Sequence, residues 1–146
     1  MHPSQKCLAC YDSVVTAHAS GTFDVKLTPQ TMVDNQAGLA RMSIEKQFHG
    51  TLEGTSTGEM LSAGTTVKDS AGYVALERVS GTLAGNTGTF VLQHSATMNR
   101  GTPQLSIKVV PDSGTGQLTG LSGEMAIKIE NGRHLYEFDY SIGPAR

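Results

Sequence analysis

From Ala19 to Ile142 the apolar residues fall on every second position, the spacing of strands, and no segment carries the 3.6-residue spacing of a long amphipathic helix. In Ser20–Leu27, Phe23, Val25 and Leu27 face one way and Thr22, Asp24 and Lys26 the other. Further runs cover Leu39–Leu52, Glu59–Lys68, Tyr73–Val79, Thr89–Met98, Gln104–Val110, Glu124–Glu130 and His134–Ile142. Pro29–Gly38 is polar with turn formers and reads as a loop or a single helical turn. Asn131-Gly132 between the last two runs is a strong hairpin signal. A weak repeat punctuates the runs: Gly50-Thr-Leu52-Glu-Gly54, Gly81-Thr-Leu83-Ala-Gly85 and Gly116-Gln-Leu118-Thr-Gly120 share the form G-x-L-x-G. Glycine supplies sharp bends at low steric cost, so these segments read as repeated corners of one curved sheet. About eight strands cornered in this way are expected to close into a single antiparallel barrel, which removes exposed edges.

Composition agrees with strands and tight turns. The 146 residues suit one domain, and 46 of them are Gly, Thr or Ser. A net charge of −2 gives no basic field for nucleic acid or an anionic membrane. No apolar stretch is long enough to cross a bilayer as a helix. No Trp is present and aromatics are 5%, which argues against a stacking platform for bases or sugars.

Both cysteines lie in Cys7-Leu-Ala-Cys10, near the start and with no strand before them. A redox C-x-x-C opens a helix after a strand, and a zinc site needs about four ligands. With only His2, Asp12 and His18 nearby, free thiols in a reducing, cytoplasmic setting are the expected reading. Residues 1–18 are expected to form a tail outside the core, and 19–146 the barrel.

Phe23-Asp-Val-Lys-Leu-Thr-Pro29, Phe48-His-Gly-Thr-Leu-Glu-Gly-Thr-Ser56 with Gly58-Glu-Met60, Gly72-Tyr-Val-Ala-Leu-Glu-Arg78, Phe90-Val-Leu-Gln-His-Ser95 and Val110-Pro-Asp-Ser-Gly-Thr-Gly116 together carry a resemblance. The chain resembles, over about residues 19–142, a bacterial family catalogued as domain of unknown function 3224. The resemblance implies a barrel like that of plant allene oxide cyclase. It implies no activity, because fold analogy alone is a weak warrant for chemistry.

Candidate site residues follow from ionisable groups that share a face with core residues. One face of Tyr73–Val79 reads Tyr73, Ala75, Glu77, Val79, and one face of the next strand reads Phe90, Leu92, His94, Ala96, Met98. Glu77 and His94 are each the lone ionisable group of their row. A tight turn makes the two strands antiparallel neighbours, which brings the pair within reach. Such a pair in an apolar barrel mouth can move a proton or can be a structural hydrogen bond; the opposite register would turn Leu76 and Arg78 inward instead. Tyr73, Phe90, Leu92 and Met98 are the expected ligand contacts on these two strands. Tyr136 and Tyr140 on the last strand, and Glu45 as a second carboxylate, complete the candidates. In the same row as Met42, Ile44 and Phe48, Lys46 interrupts the apolar pattern.

Other templates fail. There is no G-x-S-x-G, and Gly114-Thr-Gly-Gln-Leu-Thr-Gly120 lacks the spacing and the helix of a phosphate loop. The five His are too scattered to build a metal site on one element, so neither metal nor cofactor is expected. The leading expectation is a barrel that holds a small, mostly apolar molecule. The alternatives are an isomerase- or cyclase-type enzyme using Glu77 and His94, and a ligand-free oligomerisation module. A homo-oligomer, dimer or trimer, is expected in each case.

Overall fold

The structure is a computed structural model that describes residues 16–34 and 37–144. Eight strands follow one another: β1 (Ala17–Gln30), β2 (Leu39–Gly50), β3 (Leu52–Gly64), β4 (Ala71–Leu83), β5 (Asn86–Asn99), β6 (Thr102–Val109), β7 (Leu121–Glu130) and β8 (Arg133–Ile142). Each pairs antiparallel with the next, and β8 returns to β1, closing the barrel. The only helical piece among the described residues is a 3-10 turn at Gly116–Leu118. No described helix is long and apolar enough to cross a membrane. β1 begins at Ala17, which packs against the core, so the barrel starts two residues before the expected boundary. The expectations for Cys7, Cys10 and residues 1–15 lie outside the described residues.

Three hairpins close with two residues that both have positive φ: Ala84-Gly85 (48° and 88°), Arg100-Gly101 (48° and 92°) and Asn131-Gly132 (52° and 76°). This is the turn whose twist matches that of antiparallel strands. Only Asn-Gly announces it in sequence, because Asn tolerates the left-handed region and Ala or Arg does not advertise it.

The G-x-L-x-G segments all lie at one end of the barrel. Leu52, Leu83 and Leu118 are fully buried there and plug the floor. The corners expected at these segments are therefore the closed end, with Leu118 delivered by the 110–120 loop. Gly54 and Gly81 face each other across β3 and β4. A Cβ on Gly81 would come within 2.7 Å of the Gly54 Cα, so only glycine lets the strands bend this tightly.

Above the floor the interior is filled by side chains. Phe48 meets Tyr136 edge-on at 5.6 Å, and Phe90 stacks on Phe138 at 6.0 Å. The Tyr136 hydroxyl accepts from the Leu52 N–H at 2.9 Å and donates toward the His49 carbonyl at 3.0 Å, pinning the β2–β3 hairpin. At the opposite end the inward rows stay open to solvent. Leu27, Met98, Leu105 and Ile129 lie on the inward parity of their strands yet are 41–67% exposed. They form an apolar mouth.

One expectation is corrected. The run Leu39–Leu52 is not one strand. It turns at Gly50-Thr51 and returns as β3, which starts at Leu52 rather than Glu59 and ends at Gly64. The lower half of β3 turns Gly54, Ser56 and Gly58 inward, so it offers no apolar alternation to read.

Candidate functional site

Between the filled floor and the mouth sits a buried polar cluster. The turn at Ala84-Gly85 sets the β4–β5 register, which pairs Ala75 with His94 and Glu77 with Leu92. Glu77 and His94 are thus diagonal neighbours on the inner wall, and His94 Nε2 lies 2.6 Å from Glu77 Oε2. Their inward orientation and mutual contact follow the first of the two expected registers. Leu76 and Arg78 point outward.

Two further groups complete the cluster. Lys46 Nζ donates to Glu77 Oε2 at 2.8 Å, and Ser56 Oγ donates to Glu77 Oε1 at 2.7 Å. Lys46 and Ser56 are themselves cross-strand partners on β2 and β3. All four residues are buried, Glu77 at 1% exposure. The Lys46 ammonium also sits 4.8 Å from the centre of the Phe23 ring, over its negative face. Gly58 opposes Glu77 across β3 and β4, and a Cβ there would reach 2.6 Å from the Glu77 Cα. A glycine is needed for β3 to lie this close to the carboxylate's strand.

Burial pushes the Glu77 carboxyl up, but the His94 hydrogen bond and the Lys46 charge and hydrogen bond together outweigh it and hold it down at about 2. Glu77 is therefore a carboxylate with both oxygens engaged by donors. Such a group positions its neighbours and does not carry a proton at neutral pH.

With Glu77 ionised, Nε2 is the ring nitrogen that donates to it, and Nδ1 is the ring nitrogen left over. Nδ1 has no hydrogen-bond partner among the described residues. Every fully buried side-chain nitrogen or oxygen among them has one, so Nδ1 is reachable by solvent. Its side chain is on the inner wall, between the packed floor and the open end. Tyr73 lies beside it, with ring centres 6.2 Å apart. Burial, and then the Glu77 charge, raise the Tyr73 hydroxyl, keeping it a neutral donor.

The other candidates separate by position. Met98 is on the rim of the mouth, and Tyr73 just inside it. Phe90 and Leu92 are fully buried below His94, in packed core. Tyr136 and Tyr140 also belong to the core. The Tyr136 hydroxyl is bound to main chain, and the Tyr140 ring stacks on Phe138 at 5.3 Å. Neither is placed to orient a ligand at the mouth. Glu45 is corrected outright: it is exposed on the outer wall, opposite Lys26, because Lys46 and Ile44 take the inward positions of β2. Among the described residues no three His, Cys, Asp or Glu side chains gather as metal ligands.

Lys46 and Ser56 were not among the sequence candidates. Lys46 had a signal: it is the lone cation in an apolar row, and Glu77 is the lone carboxylate in another. Two such rows in one closed barrel call for pairing, since an isolated buried charge is very costly. Ser56 had none, being one hydroxyl in the run Thr55-Ser56-Thr57.

A family model described as a protein of unknown function, DUF3224, matches residues 19–140. A crystal structure of a DUF3224-family protein of unknown function from Shewanella oneidensis MR-1 is similar to this one. Its TM-score is 0.87 at 53% identity, covering 90% of this chain and 100% of that chain. No curated protein matches. The matched span takes in Lys46, Ser56, Glu77 and His94, and runs from the first strand to the last. On that match, which covers most of its length, the chain belongs to the DUF3224 family.

Proposed function

We propose that the open end of the barrel binds a small, mostly apolar molecule carrying one hydrogen-bond donor, and that His94 Nδ1 receives that donor. The observation behind this reading is the unpartnered Nδ1 beneath an apolar rim, in a cluster whose other polar atoms are engaged. Pockets with a few placed polar groups in apolar walls recognise such molecules. Leu27, Met98, Leu105 and Ile129 supply the apolar contact, and Tyr73 flanks the polar end. The cytoplasmic setting expected from the two thiols goes with this reading. The test is a titration with 1-octanol, followed by the side-chain nitrogen signals of His94 and the methyl signals of Met98 and Leu105. The expected result is a saturable shift at Nδ1, absent with the methyl ether of octanol, which has no donor. Octanol shifts confined to the outer wall, or none, would sink the reading.

A homo-oligomer remains part of the proposal and has its own support. The outer wall of β2–β5 carries a groove of about 910 Å³. Leu61, Val74 and Leu76 line it and are 48–54% exposed, beside Arg41, Glu59 and Arg78. Large exposed apolar side chains rimmed by polar ones favour association. Light scattering at micromolar concentration is expected to return a dimer or trimer mass, and a monomer mass would overturn it.

A further inference from the structure

The barrel has one weak junction. Between β4 and β5 the ladder runs from Ala71–Met98 down to Leu83–Asn86, but between β6 and β7 it shrinks to the single pair Lys108–Glu124. Each of the two strands is well paired on its other side, β6 to β5 and β7 to β8. From Lys108 and Glu124 toward the open end, the two strands therefore turn facing edges toward each other with no rung between them. A groove of about 510 Å³ opens here, lined by residues 105–108 and 124–127. A strand edge left without a partner is a template for another strand.

We infer that this seam is a docking site for an extended cationic peptide segment, taken up by β-strand addition. Main-chain pairing to a free edge supplies affinity, and alternate side chains supply selectivity. The two faces of such a strand would meet different chemistry. Its inner side chains would lie against Leu105, Ile107 and Ile127, which are apolar. Its outer side chains would lie beside Glu124 and Lys128 on β7, with Glu137 and Asp139 one strand further on. Lys108 pairs with Glu124 at 3.5 Å, Lys128 pairs with Glu130 at 3.2 Å, and His18 lies 2.7 Å from Asp139 and 3.5 Å from Glu137. Four carboxylates face two lysines and one histidine, so the surplus charge is negative. The fitting segment alternates apolar and basic residues. The edges define the site, and the carboxylates choose the sign of the guest.

The probe is a capped hexapeptide alternating Lys and Val, added to the full chain and followed by backbone amide shifts and hydrogen exchange. Saturable shifts and new protection are expected at residues 104–107 and 125–128. The same peptide with every amide methylated should not bind, because neither of its edges can then donate to a strand. A Glu–Val counterpart should not bind either, and Glu137→Gln with Asp139→Asn should weaken the Lys–Val peptide severalfold. Both substituted carboxylates are more than half exposed, so the variant keeps its fold. Absence of shifts at about 1 mM peptide, the range of very weak association, would overturn the inference. So would amides at 105–107 and 125–127 that are already protected in the free monomer, showing a closed seam. Protection that rises with protein concentration in the absence of peptide would assign the edges to a second copy instead.

Discussion

Glu77→Gln is expected to destabilise the protein by about 3–5 kcal/mol at neutral pH, although it changes neither size nor shape. The carboxylate accepts from three donors, Lys46, Ser56 and His94. A carboxamide has one accepting oxygen and brings an NH2 that meets donors head-on. More important, it leaves the Lys46 ammonium buried at 9% exposure without its counter-ion. Removing one partner of a buried pair costs more than the pair contributes, because the remaining charge stays desolvated. The cation–π contact with Phe23 recovers only part of this, about 1–2 kcal/mol. Equilibrium urea unfolding measures the loss as a lower midpoint with an unchanged slope. A companion variant decides the cause. Replacing Lys46, Glu77 and His94 together by Met, Leu and Leu removes the charges with the partners, and is expected to cost less than Glu77→Gln alone. A loss below about 1 kcal/mol for Glu77→Gln would mean that Lys46 escapes past Phe23 to water.

The second large effect is on acid stability. Glu77 titrates at about 2 in the folded chain, against an ordinary value of 4.5. A lowered folded value means that the unfolded chain binds the proton first as pH falls. The stabilisation is therefore fully present above pH 4.5 and is lost between 4.5 and about 2. That gap is worth about 3 kcal/mol. Urea midpoints measured from pH 6 down to pH 2 are expected to fall steeply through this window in the wild type. The stability difference between wild type and Glu77→Gln should narrow over the same window, since protonation removes the charge that the variant lacks. A difference that stayed constant from pH 6 to pH 2 would show that the carboxylate is not held ionised by Lys46 and His94.

Both effects rest on a cluster of which the chain pattern alone shows half. Glu77 and His94 are legible because each interrupts an apolar row of strict alternation, and period two then assigns them to the inner wall. The barrel is legible for the same reason: alternating runs separated by turn residues leave few ways to bury one face without exposed edges. The repeated G-x-L-x-G segments mark the floor, where a fully buried Leu recurs beside residues that bend. These features are local, and each is decided within a few residues of chain.

What the tertiary structure decided are the features that depend on which strand stands next to which, and how far apart. Ser56 belongs to a stretch whose inward positions are Gly, Ser and Gly, so no periodicity reveals its face; β4 and Lys46 do. Lys46 looks like a break in its row until closure of the barrel brings Glu77 within 2.8 Å. Glu45 shares a sequence neighbourhood with Lys46, yet one step along a strand turns it to the outer wall. The β6–β7 seam is invisible in two runs that alternate cleanly, because alternation reports the faces of a strand and says nothing about its edges. Faces are set by side chains along one segment, whereas edges and buried charge pairs are set by main-chain register between segments far apart in the chain.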